Sequence, residues 1–198
     1  MPTTITGTDG VSQVQTGAVE SGDLAAGAIN SGDLPAGSVI QVVSTTKTDT
    51  FSQTFSGNST FSNDVTGLTA TITPIYSSSL LVVFLNINVG SNVSDLDVTL
   101  FNNGSRVYIG DVDGSKGRTS TLRQKVNSSP GSSSEAGDTI NIVAPIPANS
   151  TSSQTFSVRL RHLSSLAQTV YVNRVDSEAD AGFSPRSASS ITVMEIAQ

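Results

Sequence analysis

Between Gly17 and Ile40 the chain reads GAVESGDLAAGAINSGDLPAGSVI, with glycine at 17, 22, 27, 32 and 37. An apolar residue follows each glycine two places on, at Val19, Leu24, Ile29, Leu34 and Val39. Residues 12–16 (SQVQT) extend the row backwards without the glycine. A period of five fits neither regular element. Along a flat strand it throws successive apolar residues to opposite faces. Along a helix it advances about 140° per step and makes no stripe, and each glycine weakens the helix by roughly 1 kcal/mol. What fits is an extended chain that bends once per unit at glycine, where a positive φ costs little. So short a segment cannot bury its own row of apolar side chains. The expectation is an assembly device, an arm made for a larger protein surface or for copies of itself. A flexible Gly/Ser linker is the alternative, and the regular apolar spacing argues against it.

From Ser38 onward the pattern changes to strands. Ser, Thr, Asn and Gly crowd the 198 residues, while the helix formers Lys, Glu and Leu are sparse. Strands are expected at 38–44, 50–55, 68–73 (ended by Pro74), 80–89, 96–102, 106–109, 120–126, 139–147, 155–163, 169–173 and 190–197. Asn103-Gly104 is a hairpin signal. Within 155–163, Phe156, Val158 and Leu160 point in, and Ser157, Arg159 and Arg161 point out. Strands 38–44 and 190–197 carry apolar residues on both parities. Val39 and Val43 fall on one and Ile40 and Val42 on the other, with Met194 and Ile196 in the last strand. One face of such strands fills a core, and the other needs a neighbour, which a closed three-fold contact would supply. The fold class expected is all-β: an antiparallel, jelly-roll-like β-sandwich over residues 38–198. It is preceded by an extended Gly-rich arm over residues 1–37, and the whole is homotrimeric.

Chemistry-bearing residues are few. The chain has no cysteine, which removes disulfides and thiolate metal sites, and a single histidine, His162. Carboxylates spaced by two occur at Asp95/Asp97, Asp111/Asp113 and Asp176/Glu178/Asp180. Such spacing puts both on one face of a strand, the geometry a glycosidase would use. Their turn-forming company favours solvated loop acids instead. Asp111-Val112-Asp113-Gly114 matches the start of a calcium loop, but the twelfth position is Leu122 rather than Glu. His162 has no partner histidine and reads as structural. Tyr108, Tyr171, Phe183, Arg118, Arg174 and Arg186 could line a sugar site in the loops. Packing and ion pairing explain them as well, so they are not assigned as sites. No catalytic, cofactor-binding or metal residue is assigned, no cofactor is expected, and no enzyme is predicted.

A net charge of −6 argues against bulk nucleic-acid binding. No apolar run reaches the roughly 18 residues of a membrane span, and no secretory signal is visible at the start. Five Asn-x-Ser/Thr sequons, at Asn58, Asn92, Asn103, Asn127 and Asn149, read as by-products of a polar surface.

Several strings carry a resemblance: LPAGSVIQVVS, DVTGLTATITP, LLVVFLNINV, YIGD, VYVNRVDSEAD and the ending SSITVMEIA. Over residues 17–198 the chain resembles small fibre-type and decoration-type virion proteins of tailed bacteriophages, of the kind carried by phages of cyanobacteria. The resemblance implies a homotrimer attached to the virion by its N-terminal segment, with a β knob outside, and adhesion rather than catalysis. The function expected is a trimeric fibre projecting a knob for host attachment. The alternative is a capsid cement protein whose arm binds coat subunits at three-fold points. Partners would then be the chain itself, other virion proteins through the arm, and a host surface glycan, with no nucleic acid and no membrane insertion. The location would be the virion, after synthesis in a host cytoplasm. Two further readings stay open, a monomeric carbohydrate-binding sandwich and a pentapeptide-repeat coil in front of an enzyme.

Overall fold

The strongest strand signal is Leu80–Val89, continuously apolar in its first half and alternating in its second, and that stretch becomes the strand on which the large sheet is built. A computed structural model of the chain describes residues 25–56, 60–91, 96–121, 137–162, 167–176, 179–182 and 184–198. Two units separate, Met1–Pro35 and Ala36–Gln198. In the first, the described residues turn at Gly27 (φ 79°) and again in a short 3-10 turn, Ser31–Asp33. The Asp33 carboxylate closes that turn by accepting the Asn30 N–H at 2.9 Å. Ile29 and Leu34 are exposed there.

The second unit is all-β, with antiparallel sheets in a sandwich-like arrangement. Its described strands are β1 (Val39–Lys47), β2 (Phe51–Phe55), β3 (Thr69–Ile72), β4 (Leu80–Ser91), β5 (Leu96–Asn102), β6 (Ser105–Arg106), β7 (Gly137–Pro147), β8 (Gln154–His162), β9 (Gln168–Val172) and β10 (Ser189–Ile196). β3, β8, β5 and β6 form a four-stranded sheet, and the remaining six form the other. Between them lies the core. Leu81, Val83, Leu85, Ile87, Ile191 and Val193 from the large sheet face Ala70, Ile72, Leu96, Val98, Leu100, Phe156, Val158 and Leu160 from the small one. Each Val, Leu or Ile so buried contributes roughly 1.5–3 kcal/mol relative to exposure.

The large sheet is in effect four rows. β7 is one edge and pairs with Leu80–Gly90 of β4. The third row is broken: β10 pairs with Leu80–Asn86 and β9 with Val89–Ser91, end to end along the same side of β4. The fourth row is broken in register with it, since β1 pairs with β10 and β2 with β9.

Three expectations need correction. Register slips between Val39 and Gln41, leaving Ile40 as an extra residue. Such a bulge shifts parity by one, so Val39 and Val42 share the outer face while Val43 packs on the core. The strand expected at 106–109 is only Ser105–Arg106, because Tyr108 adopts φ 51° and leaves the ladder. Residues 120–121 are not strand, and 122–126 lie outside the described residues. Ser120 and Thr121 use their hydroxyls in place of a strand. Ser120 Oγ accepts the Leu100 N–H, and Thr121 Oγ1 accepts the Val98 N–H and donates to Val98 O.

Candidate interaction surface

Register, rather than any single strand, composes the outer face of the large sheet. Paired across the four rows, its side chains fall into successive lines. The first is Val39, Ile196, Leu80 and Pro147. The second is Val42, Met194, Val82 and Pro145. The third is Ser44, Thr192, Phe84 and Val143, and the fourth is Thr46, Ser190, Asn86 and Asn141. Apolar character is complete in the first two lines, half-kept in the third and gone in the fourth. Val42 and Val143 are each 53% exposed, Val39 49% and Phe84 39%. The half-buried Leu80, Val82, Met194 and Ile196 fill the space between them.

The polar half of the face is satisfied within itself. Ser44 Oγ meets Thr192 Oγ1 at 2.7 Å, and Thr54 Oγ1 meets Thr169 Oγ1 at 2.8 Å. Asn86 Nδ2 donates to Asn141 Oδ1 at 2.8 Å, and Thr139 Oγ1 donates to Asn88 Oδ1 at 2.6 Å. Cross-strand pairs of this kind each add a few tenths of a kcal/mol to about 1. Among the described residues, no strand side chain on this face is charged, although the chain carries 16 acidic and 10 basic residues.

Asn173 keeps the face continuous across its broken rows. Fully buried at φ 62°, it stands where β9 ends and the excursion toward β10 begins. Its Nδ2 donates to Lys47 O, at the end of β1, and to Asp49 O, within the break before β2, both at 2.9 Å. Its Oδ1 accepts from Ser189 Oγ at 2.6 Å, and its backbone N–H donates to Asn88 O at 2.9 Å. One residue thus ties both row breaks to β4, the breaks through its side chain and β4 through its backbone N–H. Gly90 allows the close approach here, since a Cβ on it would lie 2.1 Å from Arg174 O.

The opposite face of the sandwich is built differently. On the small sheet, Arg161 pairs with Asp97 (Nη2–Oδ2 2.5 Å), and Arg159 Nε donates to Asp64 Oδ1 at 2.6 Å. The arginines also lie over aromatic rings: Arg159 over Phe101 at 4.3 Å and Arg161 over Phe61 at 5.0 Å. The outward parity expected for Arg159 and Arg161 holds. Both Arg161 and Asp97 are nevertheless at least nine-tenths buried, because residues 61–65 and Gly117 lie across them. Asp97 is therefore no solvated loop acid; it is a buried strand residue held by an arginine.

The other candidates stay apart. Asp111 and Asp113 are exposed in a turn, where Asp113 pairs with Lys116. Asp176 hydrogen-bonds Tyr171, and burial first and that bond second push the Tyr171 phenol above its ordinary value. Arg174 stacks on the same ring at 4.3 Å. Tyr108 is exposed, and Arg118 Nε donates to Gly110 O. Arg186 lines a shallow hollow with Asp180 and Ser184. His162 is buried beside the Phe55 ring. Asp95, Glu178 and Phe183 lie outside the described residues. Among the described residues no three His, Asp or Glu side chains gather as a metal site would require.

Two buried groups were not singled out from sequence. Glu195, on the inward parity of β10, accepts the N–H groups of Ile75 and Tyr76 and so pins the turn after Pro74. Asn173 follows an alternating strand, and asparagine's tolerance of positive φ was the signal available. Compared with known proteins, the chain matches no family model and no curated protein significantly.

Proposed function

We propose that the chain is a structural, non-catalytic protein of a tailed-phage virion. It is a homotrimeric fibre attached through residues 1–37, with a jelly-roll-like knob, residues 38–198, presented to the host surface. One observation carries this reading: a broad, uncharged and partly apolar sheet face left bare on a strongly acidic chain. Such a face suits assembly rather than solvation. The resemblance of the PAGSVIQVV and SSITVMEIA strings supports the virion setting. Attachment would work by multivalency, since several weak sites on each trimer and many trimers on each particle give avidity without tight single-site binding.

The cement-protein alternative draws on the arm, where Ile29 and Leu34 stand exposed and would lie against coat subunits. Labelled antibody against the protein, imaged on purified particles, tests both. Label on tails supports the fibre, label on heads supports the cement role, and particles without label refute the virion reading.

A further inference from the structure

We propose that the apolar corner of the large sheet, centred on Val42, Val82, Phe84, Val143 and Met194, is the contact between copies of this chain. The inference deepens the proposed function by naming the surface through which the oligomer forms, and it rests on that reading only for the number of copies.

Three observations select a second copy as the occupant. The first is electrostatic. Each chain carries −6, so association must bring like-charged molecules together. Repulsion is least where the facing surfaces carry no charge, and the corner formed by β1, β10, β4 and β7, away from Arg174 and Asp176 at the Tyr171 end, is that surface. A basic or acidic partner would be recognised by complementary charge, and this corner offers none. The small-sheet face has the opposite character, with arginines and aspartates already paired and overlaid.

The second is size. Four strand rows about 4.8 Å apart and about eight residues long at roughly 3.3 Å each cover about 500 Å² of flat sheet, and side-chain relief adds to it. One partner contributes about 800 Å² to a standard interface. Within this face Val39, Val42 and Val143, each about half exposed, and Phe84, 39% exposed, make one contiguous apolar patch of the kind that is often functional. An apolar centre with a neutral Ser/Thr/Asn margin is also the usual anatomy of an interface.

The third is continuity. Val39 belongs to this face, and in sequence it is the last apolar residue of the five-residue repeat. The repeat's own Ile29 and Leu34 are likewise exposed. In the sequence, the repeat and the sheet face thus share this one residue. Copies of the chain carry both, so one assembly of copies can cover both.

The test uses the full chain. Light scattering after size exclusion, at micromolar concentration, should give three times the 20.3 kDa chain mass. Phe84→Asp and Val42→Lys should weaken association by about a hundredfold or more, as central interface residues do. Thr71→Lys, which adds a charge on the small sheet's exposed side, should leave it unchanged. Val143→Lys, at an exposed position on the edge strand, serves if Phe84→Asp fails to fold. Circular dichroism and cooperative unfolding confirm that each variant is native. A monomeric wild type overturns the contact while leaving virion labelling to decide the function. An oligomer that survives the folded corner variants also overturns it. A dimer that the same variants dissociate upholds the contact and refutes the three-fold reading.

Discussion

Replacing Asn173 should unfasten both row breaks of the large sheet at once. In Asn173→Ala three side-chain hydrogen bonds disappear, those to Lys47 O, Asp49 O and Ser189 Oγ. At about 1 kcal/mol each they amount to about 3 kcal/mol, more if a stranded carbonyl stays dry. Holding alanine at φ 62° adds roughly 1 kcal/mol. The total is about 4 kcal/mol, a large fraction of the 5–15 kcal/mol by which domains are usually stable. In a unit of this size, each kcal/mol lowers Tm by roughly 2–4 °C, so a fall of about 8–16 °C is expected. Asn173→Gly separates the two contributions, because it loses the same bonds but not the strain, and it should be about 1 kcal/mol milder. Urea unfolding of the three proteins measures both differences. A cost below about 1 kcal/mol for the alanine variant would refute the stapling role. A glycine variant no milder than alanine would refute the strain.

Asp97→Ala leaves the Arg161 guanidinium buried without its carboxylate and should cost about 3–5 kcal/mol, whereas Asp97→Leu combined with Arg161→Met should restore most of it, both read by chemical denaturation. Gly90→Ala puts a Cβ on the Arg174 carbonyl, a backbone atom that cannot swing aside, and should cost about 2 kcal/mol or more in the same assay. The Lys47 ammonium, hydrogen-bonded at 2.8 Å, holds the Asp49 carboxyl below its ordinary 3.8 against a smaller opposing effect of desolvation. A depressed carboxyl contributes stability that is present above about pH 4 and drains away as pH falls through its lower folded value. Asp49→Asn should therefore melt below wild type at neutral pH, and the gap should close on acidification; a gap independent of pH would exclude the linkage.

Strand positions were legible because each strand carries its own alternation. Leu96–Asn102 emerges with the expected bounds, and Leu80–Val89 and Thr139–Pro147 lengthen by only two residues each at one end. Where positions were missed, a local backbone choice overrode the pattern. Tyr108 has the company of a strand residue but turns left-handed, and Ser120 and Thr121 complete the edge of β5 with hydroxyls instead of a ladder. The Val39/Val42 parity was misjudged because a bulge at Ile40 moves a side chain to the other face without marking the sequence. Asp97 looked solvent-facing because nothing near it in sequence announces Arg161, 64 residues away, or the segment that covers both.

The candidate surface depends on still longer-range information. Each of its four rows shows two or three outward apolar residues, which taken alone is ordinary on any surface. Only the pairing register makes them neighbours: Val42 with Met194, Met194 with Val82, Val82 with Pro145. Sliding β10 by two residues along β4, so that Met194 met Leu80 and Thr192 met Val82, would keep every side chain on its face while β1 kept its pairing to β10. Val39 and Ile196 would then overhang the end of β4, Val82 and Phe84 would lie beside Thr192 and Ser190, and the apolar residues would no longer close into a corner. The buried side chains of β10 help to fix the actual register, since Glu195 must reach the N–H groups of Ile75 and Tyr76, and Ser189 must reach Asn173. Two inward polar residues, at opposite ends of one strand, thereby decide where the outward apolar ones assemble. Glu195→Gln retains the volume and an acceptor oxygen, so it should preserve the register and the oligomer. Glu195→Ala frees the turn at residues 75–76 and should weaken association as well as folding, although Glu195 itself faces away from the contact. Association unchanged in a folded Glu195→Ala protein would show that the corner is held in place without it.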